Sequence, residues 1–251
     1  MVRGSRKHIL DWTTSANFLS QFDDLVGLPE CVIRHSAVFQ PRGHVDSKEA
    51  CIEDCGTKFV PGFDCWDDLA SWWLLHRGGA NKPNWDLVVA CDIFGMPGLA
   101  LVEAKAHERE LDWAGKRLSS NASKNSFENH ARIGEAIAEA SAELDRIVPD
   151  VHISRDSHYQ LSNRIAYCWK IASMGIPVLL IYLGFIGDNG ISNVGTPLRD
   201  SEHWQLVMEK YIHKVLPMEL LNGWIPCGKA QMRMLIRSMP VIEQSPTTAN
   251  G

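Results

Sequence analysis

The chain contains 251 residues with a mass of 28.1 kDa, which is enough for one large domain with its own hydrophobic core. Apolar residues make up 45% and charged residues 22% of the sequence, which excludes a disordered chain, a coiled coil and a collagen-like fibre. The formal charge of −5 excludes binding to nucleic acid by bulk positive charge, so such a partner would need a local basic patch or metal ions. No apolar run reaches the roughly 20 residues that span a bilayer, and the seven cysteines suit a reducing compartment better than a disulfide framework. We therefore expect a cytoplasmic protein that does not bind membranes.

The first part of the chain carries weak signals. Residues 32–39 have the apolar content of a short strand, and residues 47–58 are compatible with a short helix. Residues 64–76 form a better helix, because Asp67 and Asp68 suit its first turn and an apolar face follows. Two neighbouring tryptophans on this helix are expected to pack in the core rather than to stack on bases.

The clearest local pattern is a hairpin. Residues 86–94 and 99–105 are strand-like runs, and Gly95-Met-Pro-Gly98 between them has the composition of a turn. Both strands are apolar on both faces, so the hairpin is expected inside a sheet that helices cover on each side. With the turn centred between Met96 and Pro97, the facing pairs are Ala90 with Glu103 and Val88 with Lys105.

The rest of the chain alternates helices and strands. Helices are predicted for residues 126–147, 158–174 and 202–215, strands for residues 177–186 and 232–236, and disorder for the tail 244–251. This order predicts an α/β fold with a central mixed β-sheet flanked by helices. We divide the chain into an N-terminal extension (1–59), a core (60–190) and a C-terminal extension (191–251) packed on the core.

An acid and a base stand two residues apart in the second strand of the hairpin. Glu103 and Lys105 share one face because strand side chains alternate, and the predicted register adds Asp86 and Asp92 to that face. Buried carboxylates are costly unless a cation joins them, and oxygen ligands suit Mg²⁺ or Mn²⁺. Such a metal beside a lysine fits the hydrolysis of phosphodiester bonds. The alternative is a solvated ion pair on a polar face, which the apolar residues on the same face disfavour.

These residues carry a resemblance to a known family. Asp86 at the start of one strand and Glu103-Ala-Lys105, 17 residues later in the next strand, resemble the motif of the PD-(D/E)XK nuclease superfamily, the restriction-endonuclease-like fold. Asp92, only 11 residues before Glu103, is kept as a reserve ligand. The family motif is followed by a helix that often bears a glutamine, which suggests Gln160 by resemblance.

Two features depart from that pattern. Trp85 stands where the family usually has proline, and no strand can be placed between the helix at 64–76 and Asp86. The family often adds an acidic residue from an upstream helix, for which Glu53 and Asp68 are both candidates.

The resemblance implies a Mg²⁺- or Mn²⁺-dependent nuclease that acts on DNA, with RNA left open. Asp86 and Glu103 are its expected metal ligands, Lys105 orients water or stabilises charge, and a homodimer would suit double-strand cleavage. The alternative is an inactive member of the fold that binds nucleic acid or another protein. A zinc site is less favoured because the spacing of its cysteine candidates fits no common motif; those candidates, with one histidine, are His44, Cys51, Cys55 and Cys65.

Overall fold

The computed structural model describes residues 4–78, 80, 82–188, 190 and 195–241; the predicted disordered tail at 244–251 lies outside these residues. Its helices are α1 (Gly4–Thr13), α2 (Phe18–Val26), α3 (Ile52–Phe59), α4 (Trp66–Trp73), α5 (Lys124–Asp145), α6 (Tyr159–Met174) and α7 (Ser201–Ile212). The strands are β1 (Cys31–Val32), β2 (Phe39–Gln40), β3 (Ala50–Cys51), β4 (Asn84–Trp85), β5 (Leu87–Ile93), β6 (Met96–Lys105), β7 (Val178–Ile186), β8 (Ile225–Cys227) and β9 (Ala230–Pro240). No helix in the described ranges is long and apolar enough to cross a membrane.

The central sheet is mixed. Its strand order is β1-β5-β6-β7-β9-β8, and β2 also pairs with β5. The pairs β6–β7 and β7–β9 are parallel, while the hairpin β5–β6 and the pair β8–β9 are antiparallel. The chain crosses from β6 to the parallel strand β7 through α5 and α6, as parallel pairing requires. The predicted class, an α/β fold with a central mixed sheet between helices, is confirmed.

The sheet has a hydrophobic core on each face. On one face, Val88, Leu99 and Leu101 belong to the cluster that includes buried residues of α4, α5, α6 and α7. On the other face, Leu87 and Val89 belong to the cluster that contains the buried side chains of α1 and α2. Because helices cover both faces of the sheet, the sequences of β5 and β6 are apolar at successive positions instead of alternating between apolar and polar.

The hairpin forms, but its turn lies earlier than predicted. Ile93 pairs with Met96, so the turn consists of Phe94 and Gly95, which have φ values of 52° and 76°. Positive φ at both positions is typical of a type I′ turn, whose twist matches that of the flanking strands. The predicted turn Gly95–Gly98 was wrong, and so were the facing pairs. The observed pairs include Ala90 with Leu99 and Val88 with Leu101.

The register error amounts to four residues, an even number. Even-numbered residues of β5 therefore still share a face with odd-numbered residues of β6, as predicted. The shift changes what stands beside Glu103, because the register beyond Leu87↔Val102 brings Asp86 level with it.

The N-terminal part differs most from the prediction. Helices α1 and α2 were not predicted, and the strand expected at 32–39 is two short strands, β1 and β2. They pair with opposite ends of β5, and a turn between them is closed by the hydrogen bond from Ala37 N to Arg34 O (2.8 Å). Strand β4 pairs with β3 in a separate two-stranded sheet, so it is not the strand that the family resemblance led us to seek in the main sheet.

Candidate active site

The predicted acids meet where β5 begins and β6 ends. Asp86 directly precedes β5, and its Oδ2 accepts a hydrogen bond from the backbone N–H of Ala104 at 2.7 Å. Glu103 and Lys105, on either side of Ala104, are 2% and 4% exposed. The structure therefore brings Asp86, Glu103 and Lys105 together at one end of the hairpin.

Both carboxylate oxygens of Glu103 are paired with cations. Oε1 accepts from the Lys105 ammonium, and Oε2 accepts from Arg164 Nε at 2.7 Å. Arg164, which is 7% exposed, also donates to the carbonyl of Asn84 at 2.7 Å. Its guanidinium lies over the ring of Trp85, 4.5 Å from the centroid, so the tryptophan that replaces the expected proline holds this arginine.

The two acids differ in their electrostatics. Burial, with repulsion from Glu103, raises the pKa of Asp86 to about 7. Burial alone would raise the pKa of Glu103 as well, but attraction to Lys105 and Arg164 outweighs it and lowers the pKa of this carboxyl. Glu103 is therefore a stable anion, whereas Asp86 lacks enough nearby positive charge to favour ionisation.

A polar cleft of about 320 Å³ opens on the side of this cluster where Arg164 lies, and Asp86, Glu103 and Lys105 are not among its lining residues. Arg164 lines it, together with Gln160 from the first turn of α6. The amide Oε1 of Gln160 is buried and has no hydrogen-bond partner among the described residues. The other lining residues are Lys82, Pro83, Asn84, Glu110, Asp112, Lys116, Tyr159 and Asn163. Gln160, chosen by resemblance, thus lies in the cleft one helical turn before Arg164.

Asp92, the reserve ligand, is not brought to this cluster. It pairs with Pro97 near the hairpin turn, six positions before Glu103, which is roughly 20 Å along an antiparallel strand. Its carboxylate forms an ion pair with Arg34 instead. Asp92 and Glu103 lie on the same face of the sheet, but the register places them at opposite ends of the hairpin.

The two upstream acidic candidates also separate. Glu53, at the start of α3, accepts a hydrogen bond from the Tyr167 hydroxyl at 2.5 Å. Tyr167 lies on α6 one turn beyond Arg164, so Glu53 approaches the helix that lines the cleft. Asp68 is exposed on α4. The contacts therefore favour Glu53 over Asp68 as the neighbour of the site.

The cysteines near Glu53 make hydrogen bonds instead of forming a metal cluster. Cys51 donates to Glu53 at 3.1 Å, and Cys55 donates to the carbonyl of Cys51 at 2.9 Å. His44 pairs with Asp11 at 2.8 Å. Within the described ranges, no group of three or more His, Cys, Asp or Glu side chains is arranged to hold a metal ion.

The sequence interpretation missed two polar residues of the site. Arg164 could have been found, because it lies four positions after Gln160 and is therefore on the same side of the helix. Tyr182 pairs with Glu103 across β6 and β7, and its buried hydroxyl has no partner among the described residues. Nothing in the apolar run of β7 marks this tyrosine, since only the parallel register places it beside Glu103.

Comparison with known proteins adds no relative: no family model matches the chain, and neither a curated protein nor a solved structure is significantly similar to it. The resemblance to PD-(D/E)XK nucleases therefore rests on the sequence motif.

Proposed function

We propose that this protein is a Mg²⁺- or Mn²⁺-dependent nuclease that hydrolyses phosphodiester bonds, with DNA as the first substrate to test. The observation that carries the proposal is the buried group of Asp86, Glu103, Lys105 and Arg164 beside an open polar cleft. The hairpin is followed by two helices, α5 and α6, and then by the parallel strand β7, whereas the family resemblance implies a helix and then a strand; α6, which bears Gln160, matches that helix. A homodimer, which would suit cleavage of two strands, stays a prediction.

The donor set suits a hard divalent cation. Mg²⁺ often uses one or two protein carboxylates and keeps several waters, so Asp86 and Glu103 would suffice without a third acidic ligand. The raised pKa of Asp86 supports this assignment, because a nearby cation would favour its ionised form. When bound, the metal would polarise a phosphoryl oxygen and make a water more acidic.

The protein's own cations would act on the phosphate. Lys105 and Arg164 lie on either side of Glu103, and their positive charges would stabilise the negative charge that develops on the phosphoryl oxygens. Asn84 and Trp85 hold the guanidinium in place before substrate arrives, so less ordering is needed on binding. The amide oxygen of Gln160, which has no partner in the described part of the chain, can accept a hydrogen bond from a water or from the substrate.

The direct test is cleavage of linear and closed circular DNA by the full chain with Mn²⁺ or with EDTA. We expect cleavage with Mn²⁺, none with EDTA, and a loss of about 10²–10³-fold in rate for Lys105→Met. Lys229→Met is the matched control, because this lysine is exposed in the tight turn between β8 and β9. Absence of metal-dependent cleavage, or equal rates for Lys105→Met and Lys229→Met, would reject the proposal.

One observation favours a second candidate, a non-catalytic member of the fold that binds nucleic acid or protein. Both oxygens of Glu103 are engaged by cations, so a metal would have to displace at least one of these contacts. Tight binding to DNA without cleavage in the same assay would support this candidate.

A further inference from the structure

A second pocket adjoins the cleft. Its volume is about 230 Å³, and Lys116 lines both spaces. The other residues that line this second pocket include Leu74, Arg117, Leu118, Ser126, His130 and Ile133. Its wall is therefore partly apolar, whereas the cleft beside Arg164 is lined mainly by polar and charged side chains.

Two cations at this junction have no anionic partner. Within the described ranges, neither Lys116 nor Arg117 forms an ion pair; Lys116 lies over the ring of Tyr159, 4.7 Å from its centroid. Burial lowers the pKa of Lys116, which is typical of an ammonium without a neighbouring anion. Asp112 and Glu110 also line the cleft, and their carboxylates accept backbone hydrogen bonds at 2.9 Å from Ala114 and 2.6 Å from Ala106; within the described ranges neither forms an ion pair with Lys116.

The backbone around Lys116 is fixed on two sides. Its N–H donates to Arg155 O at 2.8 Å, and its carbonyl pairs with the His130 ring at 2.9 Å. At Gly115, a Cβ would lie only 2.3 Å from the carbonyl oxygen of Asp156, so this close approach requires glycine. The backbone that carries Lys116 between the two pockets is therefore held by contacts within the protein.

We infer that these two pockets bind consecutive nucleotides of a single strand, with Lys116 and Arg117 contacting the phosphates beside the second pocket. The inference rests on the proposed function, since it places the scissile phosphate in the cleft and the flanking base in the second pocket. A base can enter such a pocket only when it is not paired, because a duplex presents phosphates outward and keeps its bases stacked.

The charge of the molecule favours the single strand over the duplex. Binding a duplex through its backbone uses many phosphate contacts, whereas this chain has a net charge of −5 and, among the described residues, two cations at the junction without an ion pair. Contact between a base and the partly apolar pocket would supply the affinity that so few charges cannot.

The test measures binding in EDTA, where the proposed cleavage is absent. Fluorescence anisotropy compares labelled DNA and RNA strands of about 16 nucleotides with the blunt DNA duplex of the same sequence. We expect at least one single strand to bind about tenfold more tightly than the duplex. The double variant Lys116→Met/Arg117→Met should lose about tenfold or more in affinity, and the slope of log K against log salt should fall by about 1.4.

Two further variants keep the result interpretable. Arg117→Met alone changes an exposed side chain and should show about half of the change in slope, while Lys229→Met should bind like the parent protein. Equal affinity for strand and duplex, or unchanged binding by the double variant, would overturn the inference. Because binding and cleavage are measured separately, strand binding without nuclease activity would reject the proposed function alone, and cleavage without strand preference would reject this inference alone.

Discussion

Asp86 is the residue whose charge state depends most directly on its surroundings. Its pKa is raised to about 7 by burial and by Glu103, above the ordinary value of 3.8 that applies in the unfolded chain. Between about pH 4 and pH 7, the folded protein therefore keeps a proton on Asp86 that the unfolded chain has already released. The stability that this proton contributes is complete below about pH 4 and is lost as the pH rises through about 7.

Asp86→Asn should remove this pH dependence. The amide oxygen can still accept from Ala104, and the neutral side chain avoids repulsion from Glu103. We expect the variant to be more stable than the parent by about 1–3 kcal/mol at pH 8, with the difference shrinking towards pH 5. Urea unfolding in EDTA at both pH values measures this. A difference that does not change with pH would show that the carboxyl of Asp86 does not titrate in this range.

Substitutions of Glu103 and of Lys105 should change the affinity for Mn²⁺ differently. Glu103→Gln removes a charged ligand, so calorimetric titration with Mn²⁺ should show affinity weakened by about 10–100-fold. Lys105→Met keeps most of the side-chain volume and removes a cation that competes for Glu103, so its affinity should equal or exceed that of the parent.

The matched control is Asp92→Asn, which neutralises the carboxylate that pairs with Arg34 near the hairpin turn. Its Mn²⁺ affinity should equal that of the parent protein. If Glu103→Gln bound Mn²⁺ as tightly as the parent while Asp92→Asn did not, the ligand assignment would be wrong.

At the scale of elements, the sequence predicted the helices and strands that have a clear local pattern, but it did not predict features that depend on how the strands pair. The hairpin, α5, α6 and β7 were predicted because their apolar patterns are long and end at turn residues or helix stops. The turn was misplaced because Gly95-Met-Pro-Gly98 has the composition of a longer loop, whereas the strand twist favours the two-residue turn at Phe94 and Gly95.

The same limit applies to the site. Alternation along strands was enough to put Asp86 on the face of Glu103 and Lys105, because a register error of four residues preserves the face. It was not enough to separate Asp86 from Asp92, which depends on position along the strand. Tyr182 reaches the site from β7 and Arg164 from α6, so the hairpin sequence indicates neither; only the helical spacing from Gln160 could have pointed to Arg164.

At the scale of the whole molecule, the N-terminal segment shares a core with the sheet. Phe18, Phe22 and Val26 of α2 belong to the same buried cluster as Leu87 and Val102 of the hairpin. Strands β1 and β2, from the same segment, pair with β5. The sheet face opposite α5 and α6 therefore depends on residues that the sequence led us to assign to an N-terminal extension.

Removing one buried aromatic from this layer should destabilise the whole protein. Phe22 is fully buried against Trp12 and Phe18, with ring centroids 5.9 and 5.8 Å away, so Phe22→Ala leaves a cavity and should cost about 3–5 kcal/mol in the free energy of unfolding. Phe127→Ala is the matched control, because this ring is 52% exposed on α5 and its loss should cost less than about 0.5 kcal/mol.

Urea unfolding followed by tryptophan fluorescence and by far-ultraviolet circular dichroism distinguishes a shared core from an independent extension. If the two faces of the sheet stabilise one another, Phe22→Ala should shift one transition that both signals report at the same urea concentration. If residues 1–59 were an independent extension, the variant should instead show an early transition, while the remaining signal unfolds at the midpoint of the parent. A single shifted transition is expected, because β6, the strand that bears Glu103 and Lys105, is one of the strands that α1 and α2 cover.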